Sequence, residues 1–275
     1  MNITAADVNK LRQQTGAGMM DCKAALQEAE GDFERAVEVL RLKGQKVAAK
    51  RSDREAGEGA ILSGVNTAGT FGVLLSLNCE TDFVAKNEAF IGVATTLLNL
   101  AISENIDSKE VLLAQTYPGS NITVADKITE EVGKIGERIE VGTFHTLSAA
   151  QVVAYIHPGN RLATLVSFNQ VIAPEVGRDV AMQAAAMAPV ALDESSVPAE
   201  MVAKELEISK ELAIQEGKPA DMAEKIAEGR VKKWFKEATL VNQDFIKDNK
   251  LTVAQYIASA APGAVATGFH RSALD

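Results

Sequence analysis

Three histidines, two cysteines and one acidic-aromatic stretch are the residues with which this 275-residue chain could do chemistry. His145, His157 and His270 have no Cys or carboxylate at metal-ligand spacing, so no metal site is expected. Cys22 and Cys79 are too few for a disulfide framework or a four-thiolate site, and they fit a reducing cytoplasm. No G-x-x-x-x-G-K-S/T segment is present to cradle phosphates. Thr15-Gly16-Ala17-Gly18-Met19 has two glycines but follows a helical pattern, not a strand, so it is no dinucleotide fingerprint. A G-x-S-x-G nucleophile elbow is also missing. Nothing here favours an enzyme, and neither catalytic residues nor a cofactor are expected.

Three local features stand out instead. Met19 and Met20 sit together just after a glycine turn. Methionine is flexible and polarisable, which suits a contact surface, but either side chain could equally plug a small helical core. Glu80-Thr81-Asp82-Phe83-Val84 places acidic and aromatic side chains at a strand-to-helix junction. Phe83 shares a helical face with Phe90 and Ala101, which reads as first-turn core packing. It also lies at the extreme end of that helix and could project past it. His157 stands at the tip of a turn before Pro158, where a lone histidine is usually just solvated.

The elements that must position these residues follow from periodicity. Thr4 can cap a helix in which Val8 and Leu11 share a face. A second helix is expected from residue 20 to 30, and Gly31 and Asp32 separate it from a third. That third helix places Phe33, Ala36, Val37 and Leu40 at spacings of three, four and seven. Its polar helical tail, 43–54, reads as a linker. Residues 59–66 and 71–78 read as a hairpin. Thr81 or Asp82 then caps one long helix over 83–103, with Val84, Ile91, Ala94, Leu98 and Ile102 on one face. Short helices are expected at 107–116 and 123–134, and a strand at 138–147. Residues 151–156 and 162–168 form a second strand pair around His157, and Pro174 opens a helix. The two blocks share the order strand, turn, strand, helix, which hints at internal duplication. Residues 198–216 and 220–238 read as an antiparallel helical hairpin broken at Gly217-Lys218-Pro219. Its seam is expected to set Val202, Leu206 and Ala213 against Met222, Ile226 and Val231.

Composition bounds the class. The chain is 47% hydrophobic and 24% charged, enough for a real core. No apolar stretch approaches the ~20 residues a membrane span needs, and no secretory signal pattern opens the chain, so neither membrane nor export is expected. The net charge of −9 argues against nucleic acid as a direct partner. Ten basic residues against eight acidic ones leave residues 1–54 at +2, while the remainder carries −11. A composition break near Ser52-Asp53-Arg54-Glu55-Ala56-Gly57 marks a domain boundary.

The same residues carry a family resemblance. Leu11-Arg12 and the run Thr15-Gly16-Ala17-Gly18-Met19-Met20-Asp21-Cys22-Lys23-Ala24-Ala25-Leu26 resemble the N-terminal signature of bacterial translation elongation factor Ts. Asn78-Cys79-Glu80-Thr81-Asp82-Phe83-Val84-Ala85-Lys86 resembles that family's second signature. The likeness continues through Lys134-Ile135-Gly136-Glu137, and through Gly217-Lys218-Pro219 to Gly229-Arg230. It ends in Thr267-Gly268-Phe269 and so covers essentially the whole chain.

The resemblance implies an α+β fold with a three-helix ubiquitin-associated-like domain, a two-part α+β core and an inserted antiparallel helical hairpin. Its parts would be residues 1–54, 55–147, 148–197 with 239–275, and 198–238. It implies guanine-nucleotide exchange on elongation factor Tu, in GDP-bound and nucleotide-free forms, during cytoplasmic translation elongation. Partner contacts would fall on Arg12, Met19, Met20, Ile135, Gly136 and His157. The segment Thr81-Asp82-Phe83-Val84 would dislodge the partner's magnesium ion, with Phe83 entering an apolar pocket. Two positions depart from the family. Pro158 stands where the family usually has glycine after the contact histidine, and Met182-Gln183 stands where it often has Met-His. A non-exchanging adaptor built from the helical domain and the hairpin is the competing reading, with self-association through the hairpin left open. A nucleotide-using enzyme has no supporting motif.

Overall fold

The computed structural model describes residues 3–274, so the extreme positions 1, 2 and 275 of the expected domains lie outside the described residues. The fold is α+β. By packing it divides into two units, Met1–Leu62 with Leu75–His145 and Ala273–Asp275, and Ser63–Leu74 with Thr146–Ser272.

The first unit opens with a three-helix head: α1 (Ala5–Thr15), α2 (Met19–Glu28) and α3 (Phe33–Arg51). Thr4 caps α1 through a reciprocal capping box with Asp7, and Asp32 caps α3 by accepting from the Arg35 N–H. The head closes on a thin core of Val8, Leu11, Cys22, Ala25, Leu26 and Ala36. Helix α3 does not trail off as a linker. It stays helical to Arg51 and packs along α7 (Val124–Ile135), where Gly44 and Gly133 let the two backbones approach. Arg41 pairs with Asp126 across this contact at 2.5 Å.

Strands β1 (Glu58–Val65) and β2 (Phe71–Cys79) are joined by a turn in which Asn66 Oδ1 accepts from the Thr70 and Phe71 N–H groups. Strand β3 (Glu140–Ser148) lies beside β2, giving the order β1-β2-β3. The single helix expected over 83–103 is two helices, α4 (Asp82–Ala85) and α5 (Glu88–Ser103). The break falls at Asn87, whose side chain accepts from the Ala89 N–H and starts a new helix. The buried face of α5 is Phe90, Ala94, Leu97, Leu98 and Ala101. Helix α6 (Lys109–Ala114) precedes α7.

The hairpin turn between β1 and β2, with the strand halves beside it, belongs to the second unit, and the chain after β3 repeats the order strand, turn, strand, helix. Strands β4 (Gln151–Ile156) and β5 (Leu162–Phe168) pair antiparallel, with Gln151 opposite Phe168 and Ile156 opposite Ala163. Helix α8 (Pro174–Met187) follows. After the hairpin of α9 (Ala199–Gln215) and α10 (Ala220–Ala238) come a short pair, β6 (Asp244–Phe245) and β7 (Asp248–Thr252), and helix α11 (Val253–Ala260). Strand β8 (Ala266–Ala273) lies beside β5, so this sheet runs β4-β5-β8. Each sheet is thus a hairpin whose second strand takes a much later strand as its other neighbour. The core here gathers Val166, Phe168, Val180, Ala184, Leu240 and Ile257.

The hairpin seam holds the expected Ala213 and Val231 buried, with Val202, Leu206 and Ile226 half-buried, and departs from expectation at Met222. Ser209 and Ala213 on α9 and Ala223, Ala227 and Val231 on α10 are buried, while Met222 is exposed. Small side chains bring the helices close and push the longer apolar ones to the flank. Among the described residues, no helix is long and apolar enough to cross a membrane.

Candidate functional site

The 81–84 stretch is built from the end of β2. Thr81 turns the chain from strand to helix and caps α4, its hydroxyl accepting from the Val84 N–H. Asp82 opens the helix and forms an ion pair with Lys86 at 2.6 Å, one turn on. The Lys86 hydrogen bond holds the Asp82 carboxyl below its ordinary value. Phe83 then points into solvent, 84% exposed. The core-packing reading of Phe83 is therefore wrong. Breaking the helix at Asn87 takes Phe83 off the face that buries Phe90 and Ala101. Val84 is half-buried and Ala85 is buried, so the short helix is seated by its other side.

Two carboxylates hold this junction. Glu137 Oε2 accepts the backbone N–H groups of Glu80 (3.2 Å) and Thr81 (3.0 Å), and its Oε1 accepts the Thr81 hydroxyl at 2.7 Å. In return, Glu80 Oε1 accepts the Arg138 N–H at 2.7 Å, and the Glu80 carboxylate takes Arg51 Nη1 at 3.1 and 2.9 Å. The Arg138 N–H, followed by the Arg51 charge, holds the Glu80 carboxyl below its ordinary range despite partial burial. The Arg138 guanidinium reaches back to the carbonyls of Ser52 and Arg54 at the end of α3. Cys79 lies buried beneath, its Sγ donating to the Thr81 carbonyl. Burial, with Glu137 nearby, pushes its thiol up to about 12, so it is inert.

Ile135 and Gly136 end α7 directly before Glu137, and Gly136 caps the helix in the left-handed region (φ +78°). Lys134, one residue earlier, lies against the Gly16 turn of the head. From that turn rise Met19 and Met20, 39% and 74% exposed, with neither in the head core. The plug reading of the two methionines is therefore also wrong. Cys22, not methionine, fills the space below, donating from Sγ to the Ala17 carbonyl. Arg12 is exposed near the end of α1. Within the first unit, then, the head turn, the end of α7 and the β2–α4 junction are linked through Lys134 and Glu137.

His157 belongs to the second unit. It starts the turn between β4 and β5, its N–H bonding the Leu162 carbonyl at 2.8 Å and its carbonyl accepting from Asn160. The ring is exposed but not loose, since Nδ1 lies 3.0 Å from the Tyr155 hydroxyl. Pro158 is accommodated with Asn160 in the left-handed region. Tyr155 was readable in principle. Residues two apart on a strand face the same side, and only His157 and Tyr155 carry polar rings there. Gln183, at the departure from Met-His, is fully buried. It donates to Gln243 Oε1 and the Asp244 carbonyl, and accepts from the Ile246 N–H.

Among the described residues, no group of three His, Cys, Asp or Glu side chains could hold a metal ion. One cleft between the head and α7 is lined by Thr15, Asp21, Arg41, Lys43, Lys127 and Lys134. Its cations are already matched, Lys43 by Asp21, Arg41 by Asp126, and Lys127 and Lys134 by Glu131. The first unit presents an aromatic ring and two methionines to solvent, and the second unit presents a histidine.

Comparison with known proteins gives one consistent result. The family model described as Elongation factor TS matches residues 80–274. Elongation factor Ts of Flavobacterium psychrophilum is 54% identical over 274 residues, spanning 99% of this chain and 98% of that protein. Those of Christiangramia forsetii and Amoebophilus asiaticus are 53% and 51% identical, with 98–99% of this chain and 98% of each protein covered. The head lies outside the family model but inside all three of these alignments.

Proposed function

The chain belongs to the elongation factor Ts family, and from that premise we propose that it is a guanine-nucleotide exchange factor for elongation factor Tu, working in the cytoplasm during translation elongation. It binds the GDP-bound partner, displaces the partner's magnesium ion and promotes GDP release. In this reading residues 1–54 form the head, 55–147 and 148–197 with 239–275 the two parts of the core, and 198–238 a protruding hairpin.

The observation that carries this reading is Phe83, 84% exposed at the start of a helix whose other face is seated. An exposed aromatic ring on fixed backbone is a free-energy store for a partner. Burying it contributes on the order of 2–3 kcal/mol. Magnesium demands near-ideal octahedral geometry, so a small displacement of the partner's elements by this ring weakens both the ion and the diphosphate it bridges. Asp82, kept ionised by Lys86, stands beside the ring as a second wedge. Arg12, Met19, Met20, Ile135 and Gly136 supply further contact area, and His157 a contact from the second unit. No bond is made or broken by this chain, so no catalytic acid or base is required. Coupling is reciprocal: if the chain prefers nucleotide-free partner, GDP weakens its grip by the same factor.

The test is release of fluorescent GDP from elongation factor Tu with and without this protein. Acceleration that saturates with added protein is expected. Unchanged release at saturating protein overturns the reading.

A further inference from the structure

We propose that Glu137 is a positioning residue for exchange, holding the β2–α4 junction so that Phe83 and Asp82 are presented on rigid backbone; this rests on the exchange reading above. Helix α4 has only four residues and cannot persist on its own, because nucleating a helical turn is unfavourable. Phe83, being exposed, receives no fixing from its own packing. Its direction is therefore set by the seating of Val84 and Ala85 together with whatever fixes the backbone at residues 80–82, where the chain enters the helix.

Glu137 fixes it at three points. Its two oxygens take the Glu80 N–H, the Thr81 N–H and the Thr81 hydroxyl proton. The last bond does more than tether. A hydroxyl has one proton and two lone pairs. With its proton committed to Glu137, the Thr81 oxygen turns a lone pair to the Val84 N–H and caps α4. Glu137 thus sets both the position and the polarity of the cap. Because Glu137 directly follows Ile135 and Gly136, the same carboxylate also locks the two proposed contact stretches to one another. The return bond from the Arg138 N–H to Glu80 closes the clasp from the other side.

Geometry, rather than charge alone, is what this role needs. In Glu137→Gln the amide oxygen can take both backbone N–H groups, and the amide nitrogen can face the Thr81 oxygen. In Glu137→Ala all three anchors are lost. The experiment measures catalysed GDP release against concentration of the full chain, together with amide hydrogen exchange at residues 80 and 81 and the thermal unfolding midpoint.

The expected result for Glu137→Ala is a maximal release rate lower by about tenfold to a hundredfold. Its half-saturating concentration should change little, and protection at the Glu80 and Thr81 amides should be lost. Glu137→Gln should restore most of the rate and the protection. Equal loss of rate in both variants, or retained protection in Glu137→Ala, overturns the assignment. If the unmodified chain does not accelerate release, the exchange reading fails, and the amide measurement alone decides the clamp. Should Glu137→Ala fail to fold, Glu137→Asp takes its place in both measurements, its carboxylate falling one methylene short of Thr81.

Discussion

Gly133 meets Gly44 backbone to backbone: a Cβ on Gly133 would stand 2.7 Å from the Gly44 Cα, and one on Gly44 would stand 3.1 Å from the Thr129 carbonyl oxygen. The contact joins α3 to α7 where no side chain intervenes. Gly133→Ala has only backbone to push against, so the helices must separate. A loss of about 1–3 kcal/mol is expected from urea unfolding, as for other overpacked sites. Gly92 in α5 and Gly229 in α10 have nothing within 4 Å of a built Cβ. At those positions alanine should raise stability by about 0.5–1 kcal/mol, because only helix propensity changes.

Phe83→Ala separates folding from function. The side chain is mostly in solvent, so the unfolding free energy should move by less than about 0.5 kcal/mol. Catalysed GDP release should fall sharply. A folded variant that still exchanges at the unmodified rate would remove the ring from the exchange surface.

His157→Ala should slow exchange less than Phe83→Ala, since the histidine offers one contact and no wedge. Tyr155→Phe removes only the hydroxyl that holds Nδ1. It should reproduce part of the His157→Ala loss at unchanged thermal midpoint. No effect from either variant would leave His157 a solvated turn residue.

Glu80 predicts an acid limb in stability. Its folded carboxyl pKa lies below the ordinary 4.5, mainly through the Arg138 N–H and then Arg51. A group depressed on folding contributes stability in full above its unfolded pKa, and loses it as pH falls through the folded value. Unfolding midpoints of the unmodified chain and of Glu80→Gln should therefore differ at neutral pH and converge as pH falls below the ordinary 4.5 and through the lower folded value. A gap that stays constant across that window would remove the carboxylate as its source.

The buried amide pair predicts a loss of stability in the second unit. Gln183 and Gln243 satisfy each other and three nearby backbone carbonyls away from water. Gln183→Leu removes the partner of the Ile246 N–H and strands the buried Gln243 oxygen, and the buried group left unpaired costs about 1–3 kcal/mol. Denaturant unfolding reads this directly.

Much of this was legible from local signals. Thr4, Asp32 and Thr81 announce helix starts because a short oxygen-bearing side chain satisfies an N–H two or three residues on. β-rich runs bounded by turn residues marked the strand pairs, and the signatures around Met19 and Phe83 named the stretches that prove exposed. What could not be read depends on distant partners. The break at Asn87 was written in the sequence as a cap, yet the apolar pattern ran straight across it. The fate of α3 beyond residue 43 rests on a glycine in α7, 89 residues later, that no helical period reveals. The hairpin seam was legible at Ala213 and Val231 but not at Ser209, Ala223 and Ala227, because size as well as hydrophobicity decides which residues lie between close-packed helices. Glu137 entered the sequence reading only as the last residue of the Lys134-Ile135-Gly136-Glu137 stretch, with no role. Only the fold, which brings residue 137 beside residue 80, shows its carboxylate facing three donors.

The place of β8 beside β5 also has a consequence for how the molecule is made. Thr267 on β8 bonds Ser167 on β5 across 100 residues of sequence. At synthesis rates of roughly 5–20 residues per second, β5 waits about 5–20 s on the ribosome with one edge unpaired. The hairpin and α11 emerge during that interval. An open strand edge is a template for pairing with other nascent chains. A chain cut before Ala266 should therefore leave that edge permanently uncovered and precipitate, whereas the three-helix head, whose core is local in sequence, forms early and independently of it.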